Sequence, residues 1–265
     1  MRRTMAIVGW ALPLALLLAP VARAGEVQVE RQGYSLQAET QGDGPLTVVF
    51  ESGFAQGGGV WQDVIAKLGD ECRCITYARA AAKTIPDHVD DLGAVIDALA
   101  PDGKVVLVGH SYGGLLATEF ARLHPERVQG LVLVDPATMA QRHEAMQVDR
   151  ERVLADDKTL LEMLPPNLAA DYQALIAQLD SDAALVPRSQ PDVPVALLTS
   201  TNVADEPFVF EETAIGKALW KRQHEALFAS YARGVHEYYA TGHNIHQEDP
   251  HAVANAVRHV IGMAR

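Results

Sequence analysis

The stretch Val105-Val106-Leu107-Val108-Gly109-His110-Ser111-Tyr112-Gly113-Gly114-Leu115 decides the fold. Four aliphatic residues make a short strand with no polar face, and Leu115 to Leu123 continues at helical spacing until Pro125 stops it. Between strand and helix the chain must reverse within a few residues, which crowds the backbone at Ser111. Glycine at 109 and 113 removes side chains that would collide in such a turn. As a bare pattern Gly-x-Ser-x-Gly says little; the strand directly before it and the helix directly after it give it meaning. The turn lifts the Ser111 hydroxyl above a sheet at a helix N-terminus, whose partial positive charge favours a developing anion.

Outward from this point the rhythm repeats. Thr47 to Glu51, Cys74 to Tyr77, Val128 to Val134, Val195 to Leu198 and Val235 to Tyr239 read as strands. Trp61 to Leu68, Asp87 to Leu99, Ala218 to Tyr231 and His251 to Ile261 read as helices between or after them. Near-continuous apolar strands alternating with helices predict an α/β fold, a mostly parallel central sheet with helices on both faces. Ahead of it, Glu26 to Glu30 and Tyr34 to Thr40 flank Arg31-Gln32-Gly33 as a hairpin. From about Ala137 to Gln190 the alternation fails. That stretch is rich in Arg, Asp, Glu, Leu and Ala with helical patterns only, and is expected to form a small helical cap insertion within one domain, 25–265.

The 265 residues carry 48% hydrophobic and 21% charged residues with a formal charge of −12, so a sizeable core can form and disorder is excluded. An acidic surface repels phosphate backbones and anionic headgroups, which argues against nucleic acid and membrane surfaces as partners and says nothing of a small-molecule substrate beyond a mild bias against polyanions. Arg2 and Arg3, the apolar run Met5 to Leu18 and Ala22-Arg23-Ala24 read as a signal peptide over residues 1–24, cleaved near Ala24. Export, periplasmic or secreted, with no stable membrane anchor after cleavage, is the expectation. An uncleaved anchor is the alternative, weakened by the short run and Pro13. Cys72 and Cys74, two apart on a strand, are poorly placed for a relaxed disulfide and, lacking a histidine cluster, for a metal. Both are read as small strand residues, with a strained local disulfide as the lesser option.

Gly109-His110-Ser111-Tyr112-Gly113-Gly114 resembles the nucleophile elbow of the α/β-hydrolase superfamily, and the resemblance extends from about Val27 to Ile261. It implies a serine hydrolase in which Ser111 is the nucleophile. A hydroxyl needs a base to take its proton. The family places a histidine after the last strand, where Thr241-Gly242-His243-Asn244 stands; His243 is the expected base and His246 its rival. The third member, which holds the imidazole tautomer, is assigned to Asp205 in the loop after Val195 to Leu198. Asp135, at the end of the preceding strand, is the alternative and Glu206 a weaker third. Resemblance puts the oxyanion-binding amides at Phe54 and Tyr112.

Relatives carry Tyr-Asp-Arg-x-Gly where this chain reads Tyr77-Ala78-Arg79-Ala80-Ala81, so a supporting turn near the site is expected to be missing. His110 is expected to turn away from the reacting face. Ester hydrolysis through an acyl-enzyme is the leading reading, with no cofactor or metal; amide, peptide, thioester or C–C hydrolysis would use the same residues. The alternative of another class is a binding protein that kept the fold without the chemistry.

Overall fold

The computed structural model describes residues 25–185 and 189–264; the expected signal segment, residues 1–24, lies outside them. The strands are β1 (Gly25–Arg31), β2 (Tyr34–Gln41), β3 (Leu46–Glu51), β4 (Cys72–Tyr77), β5 (Val105–His110), β6 (Val128–Val134), β7 (Val195–Ser200) and β8 (Gly234–Tyr239). They form one sheet in the order β1-β2-β4-β3-β5-β6-β7-β8. The first hairpin pairs antiparallel and β2 runs antiparallel to β4; every other neighbour is parallel. The helices are α1 (Gln62–Leu68), α2 (Ile85–Leu99), α3 (Tyr112–Leu123), α4 (Gln141–Met163), α5 (Pro166–Leu179), α6 (Ala214–Ala229), α7 (Ile245–Glu248) and α8 (Pro250–Ala264).

The apolar strands lack a polar face because both faces are covered. Val49, Leu107, Leu131, Leu133 and Leu197 point to the layer of α2 and α3. Their alternates, Val48, Phe50, Val106, Val108, Val132, Val134 and Leu198, point to α1 and α8. This period-2 division produces the parallel α/β sandwich that the alternation predicts. Cys72 and Cys74 are free, buried thiols on the α1/α8 side. Burial pushes the Cys74 thiol up to about 12, so it is an inert packing group.

Two helices start earlier than their apolar periodicity suggests, and caps explain one of them. At α2, Thr84 Oγ1 accepts from Asp87 N at 3.3 Å while the Asp87 carboxylate accepts from Thr84 N at 2.9 Å, a reciprocal capping box. At α3, Gly113 and Gly114 are helical rather than part of the turn. A Cβ on Gly113 would lie 2.2 Å from the carbonyl oxygen of Glu51, so this glycine lets the helix press directly onto the end of β3.

Between β6 and β7 lie α4 and α5, above the C-terminal edge of the sheet. Asp149, at φ −150° and ψ 81°, interrupts α4 with a kink. The pair is tied by Arg142, whose Nη2 donates to Asp157 at 2.7 Å and whose Nε donates to Asp180 at 2.6 Å.

Candidate active site

Ser111 occupies the turn between β5 and α3 with φ 51° and ψ −120°. A side chain in this region is strained by about 1–3 kcal/mol, and such strain persists only where surroundings enforce it. Here they do. Ser111 N donates to Val134 O at 3.1 Å, while its carbonyl accepts from Gly114 N, Leu115 N and Ala137 N at 2.9, 3.2 and 2.9 Å. Tyr112 is the first residue of α3, so its N–H belongs to the four that a helix leaves without an internal partner.

The carboxylate on His243 is Asp135, and this corrects the expectation of Asp205. His243 Nδ1 lies 2.7 Å from Asp135 Oδ2. Asp205 and Glu206 are exposed in the loop after β7; Asp205 lines the outer part of the cavity that holds Ser111 and His243. The physical reason lies in the sheet edge. Asp135 adopts φ 45° directly after β6, and this turn projects its side chain along the rim between β5 and β7. There it is fully buried and accepts from Ser200 N at 2.8 Å, Ser200 Oγ at 2.7 Å and Trp220 Nε1 at 2.9 Å. Burial works to raise its pKa, but the hydrogen bond and charge of His243, with the charges of His224 and Lys217, outweigh burial and hold it well below the usual carboxylate range. Because an ionised carboxylate only accepts, His243 Nδ1 is the donor of this bond, which in the neutral ring puts the lone pair on Nε2.

Ser111 and His243 line one cavity together with Trp220, Lys217 and Glu211. The His243 ring meets Trp220 edge-on, centroids 5.7 Å apart, and packs against the tilted ring of His110 at 4.6 Å. His110, expected to turn away from the reacting face, is buried, lines neither cavity at Ser111 and bonds to the backbone of the His243 loop. Its Nε2 donates to the carbonyl of His243 at 3.0 Å, and its Nδ1 lies 3.1 Å from the Gln56 side-chain amide. His246, the rival base, is fully buried between Trp61 and His110, with ring centroids at 4.7 and 4.3 Å. Neither of its ring nitrogens has a hydrogen-bond partner, and burial, then the charge of His243, pushes its pKa down to about 4. It is therefore a neutral packing group.

Phe54 lies in the loop after β3, beside Ser111 and Tyr112 on the wall of the cap-side cavity. The missing Asp and Gly after Tyr77 do not leave this loop unsupported. Arg79, the retained member of that motif, donates to Glu51 Oε1, Ser52 O and Gly53 O, each at 2.5 Å. Gln56 adds a bond from Gly53 N at 3.1 Å and donates to Asn244 Oδ1 at 3.2 Å, joining the Phe54 loop to the His243 loop. Burial raises the Glu51 pKa, opposed by the Arg79 charge and the Tyr77 hydrogen bond. The roles of Arg79 and His110 escape sequence reading because they consist of hydrogen bonds to backbone carbonyls far away in sequence; the only signal for Arg79 was its survival in an otherwise altered motif.

No group of His, Cys, Asp and Glu among the described residues could hold a metal ion. No helix among them is long and apolar enough to cross a membrane.

A strained serine at the C-terminal edge of a parallel sheet, sharing a cavity with a carboxylate-bound histidine, defines the hydrolase class of α/β proteins. The chain belongs to the alpha/beta hydrolase family, whose model matches residues 48–256. It is 25% identical over 232 residues to the uncharacterized protein YqjL of Bacillus subtilis, covering 82% of this chain and 84% of that one. It is 34% identical over 119 residues to the lipase LipV of Mycobacterium tuberculosis, 42% of each chain. It is 30% identical over 159 residues to the pimeloyl acyl-carrier-protein methyl ester esterase of Aliivibrio salmonicida, 52% of this chain and 60% of the esterase. The chain thus spans about half the length of the lipase and the esterase. Among solved structures, a thermophilic esterase from Thermogutta terrifontis superposes with a TM-score of 0.58 at 19% identity, covering 92% of this chain and 99% of that one. An epoxide hydrolase from Vigna radiata superposes with a TM-score of 0.67 at 17% identity, covering 91% and 98%. At these identities the superpositions show the fold alone.

Proposed function

We propose that this hydrolase is a serine esterase working through an acyl-enzyme. The observation that carries this reading is the 2.7 Å contact of His243 Nδ1 with buried, ionised Asp135, on a histidine that shares its cavity with Ser111. Ser111 Oγ attacks the substrate carbonyl carbon while His243 Nε2 takes its proton, and Asp135 stabilises the imidazolium. The carbonyl oxygen becomes an alkoxide, received by the amides of Phe54 and Tyr112. The imidazolium then protonates the departing alcohol oxygen as the C–O bond breaks. Water attacks the acyl-enzyme carbonyl as His243 takes its proton, and Ser111 leaves as the restored hydroxyl.

The likeness to epoxide hydrolases carries the fold and not the reaction. Opening an epoxide with Ser111 would leave an ether, which has no carbonyl for water to attack. An acyl substrate is the one a serine can release. The lipase and methyl ester esterase among the relatives support esters over other acyl compounds.

We propose also that the protein is exported after cleavage near Ala24, as the basic and apolar pattern of residues 1–24 supports. N-terminal sequencing of protein recovered outside the cytoplasm should begin at Gly25; an intact Met1 would overturn this. The esterase reading is tested with a fluorophosphonate probe and p-nitrophenyl esters. Labelling and hydrolysis are expected in the wild type, to vanish in Ser111→Ala and to fall at least a hundredfold in His243→Ala. Labelling that persists in Ser111→Ala would place the nucleophile elsewhere.

A further inference from the structure

Two cavities meet at Ser111, one running under the cap and one opening past His243, and Gln141, Leu160, Val209 and Glu211 line both. Glu211 therefore stands at their junction, between the cap and the reacting serine. Its charged neighbours are already engaged. Asp157 accepts from Arg142 at 2.7 Å and from the Tyr172 hydroxyl at 2.8 Å. Asp156 accepts from Arg152 Nε at 2.7 Å and from Phe210 N at 2.6 Å. Arg142 also donates from Nε to Asp180 at 2.6 Å. Lys217, the cation of the second cavity, donates to Ser200 Oγ at 2.8 Å, behind Asp135.

Glu211 is half-buried and is met by no Lys or Arg among the described residues; Asp205, Glu212 and Glu248 in the second cavity also lack one, but of these four carboxylates Glu211 alone lines the cap-side cavity as well. Burial pushes its carboxyl above the ordinary range; its own backbone N–H and the charge of His243 act against this, while Asp156 and Asp157 add to it. Ionising a desolvated carboxyl without a counter-charge is costly, and a cation brought by the substrate removes that cost. An anionic substrate would face this carboxylate at the junction, and the cations lining the two cavities, Arg142 and Lys217, are held by Asp157 and Asp180 and by Ser200 Oγ.

We infer that Glu211 receives a positively charged group of the substrate, so that the enzyme acts on acyl compounds bearing an ammonium group, such as aminoacyl esters. This rests on the serine-hydrolase reading and assigns its substrate class. The ammonium sits at the cavity junction, in the same two cavities that Ser111 lines, where the acyl carbonyl is placed. A charge-assisted hydrogen bond in this partly desolvated place is expected to give about a tenfold preference.

The test compares p-nitrophenyl esters of equal acyl length ending in ammonium, hydroxyl or carboxylate, read as ratios of kcat/KM. The expected order is ammonium, then hydroxyl, then carboxylate, with about tenfold between the first two and a preference that shrinks as salt is added. In Glu211→Gln the ammonium-to-hydroxyl ratio should fall toward one; in Glu211→Lys the carboxylate ester should overtake the ammonium ester. A wild-type ratio at or below one overturns the inference, as does a ratio unchanged in folded Glu211→Gln. These outcomes leave the hydrolase reading standing, because all three esters would still be turned over. Absence of any turnover together with absence of fluorophosphonate labelling would overturn both.

Discussion

Replacing Asp135 by asparagine separates the two candidate acids in one experiment. The carboxylate accepts from four donors: Ser200 N, Ser200 Oγ, Trp220 Nε1 and His243 Nδ1. An asparagine supplies one carbonyl oxygen and one NH2. With its oxygen kept on Ser200 N and Trp220, as Oδ1 is now, the NH2 faces His243 Nδ1. That nitrogen must then accept, the ring proton moves to Nε2, and no lone pair remains for the Ser111 proton. The wrong tautomer together with the lost imidazolium stabilisation is expected to lower kcat by about 10⁴-fold. The same change leaves the Ser200 hydroxyl proton without its acceptor, a cost of about 2 kcal/mol, which for a chain of this size lowers Tm by roughly 4–8 °C. The variant therefore stays folded at room temperature, and its lost turnover is chemical. Initial rates on a p-nitrophenyl ester, with thermal melts on the same samples, read both quantities. Asp205→Asn, altering an exposed side chain without a hydrogen bond to His243, should stay within about twofold of wild type. An Asp135→Asn enzyme within tenfold of wild type would refute the reasoning, as would a hundredfold loss in Asp205→Asn.

Further outcomes are expected from the groups around the site. Arg79→Lys keeps a charge near Glu51 but cannot reach Ser52 O and Gly53 O together; the Phe54 amide should lose its fixed position, lowering kcat by about 10² with little change in KM. An equal kcat in this variant would show that the loop needs no clamp. Gly113→Ala brings a Cβ to 2.2 Å from Glu51 O and is expected to cost about 3 kcal/mol or prevent soluble expression; a melt equal to wild type would contradict the close approach. Stability should also fall between pH 6.5 and 4. His224 and His246 are pushed by burial to about 4, so in this window the unfolded chain takes up protons that the folded chain refuses. The slope is therefore positive with pH, each histidine removing up to about 3 kcal/mol by the low end. Urea midpoints at pH 7.5 and 5.5 measure it; His246→Phe should flatten the difference, and midpoints independent of pH would refute the account.

Much of the site was legible because it depends on local chain geometry. Gly109, Ser111 and Gly113 are dictated by a reversal between one strand and one helix, a property of a few consecutive residues, while His243 was singled out by the resemblance, which implies a histidine after the last strand. The acid was not legible in that way. Asp135 and Asp205 each follow a strand, each is a carboxylate, and linear distance to His243 does not choose between them. The choice falls to burial and to a positive φ at one residue, neither of which has a composition signature. The same holds for His110 and Gln56, whose bonds span 133 and 188 positions.

The sequence by itself determined the layered α/β architecture and the sharp turn that carries Ser111 between β5 and α3, because period-2 and helical hydrophobic patterns and a glycine-flanked turn act over short range. Tertiary structure alone decided which carboxylate meets His243, which guanidinium holds the Phe54 loop, and which glutamate lines both cavities at Ser111 with no Lys or Arg partner among the described residues. Each of these is a question of how distant segments satisfy or fail to satisfy one another's charges and hydrogen bonds once water has been excluded, and that balance exists only when the segments are brought together.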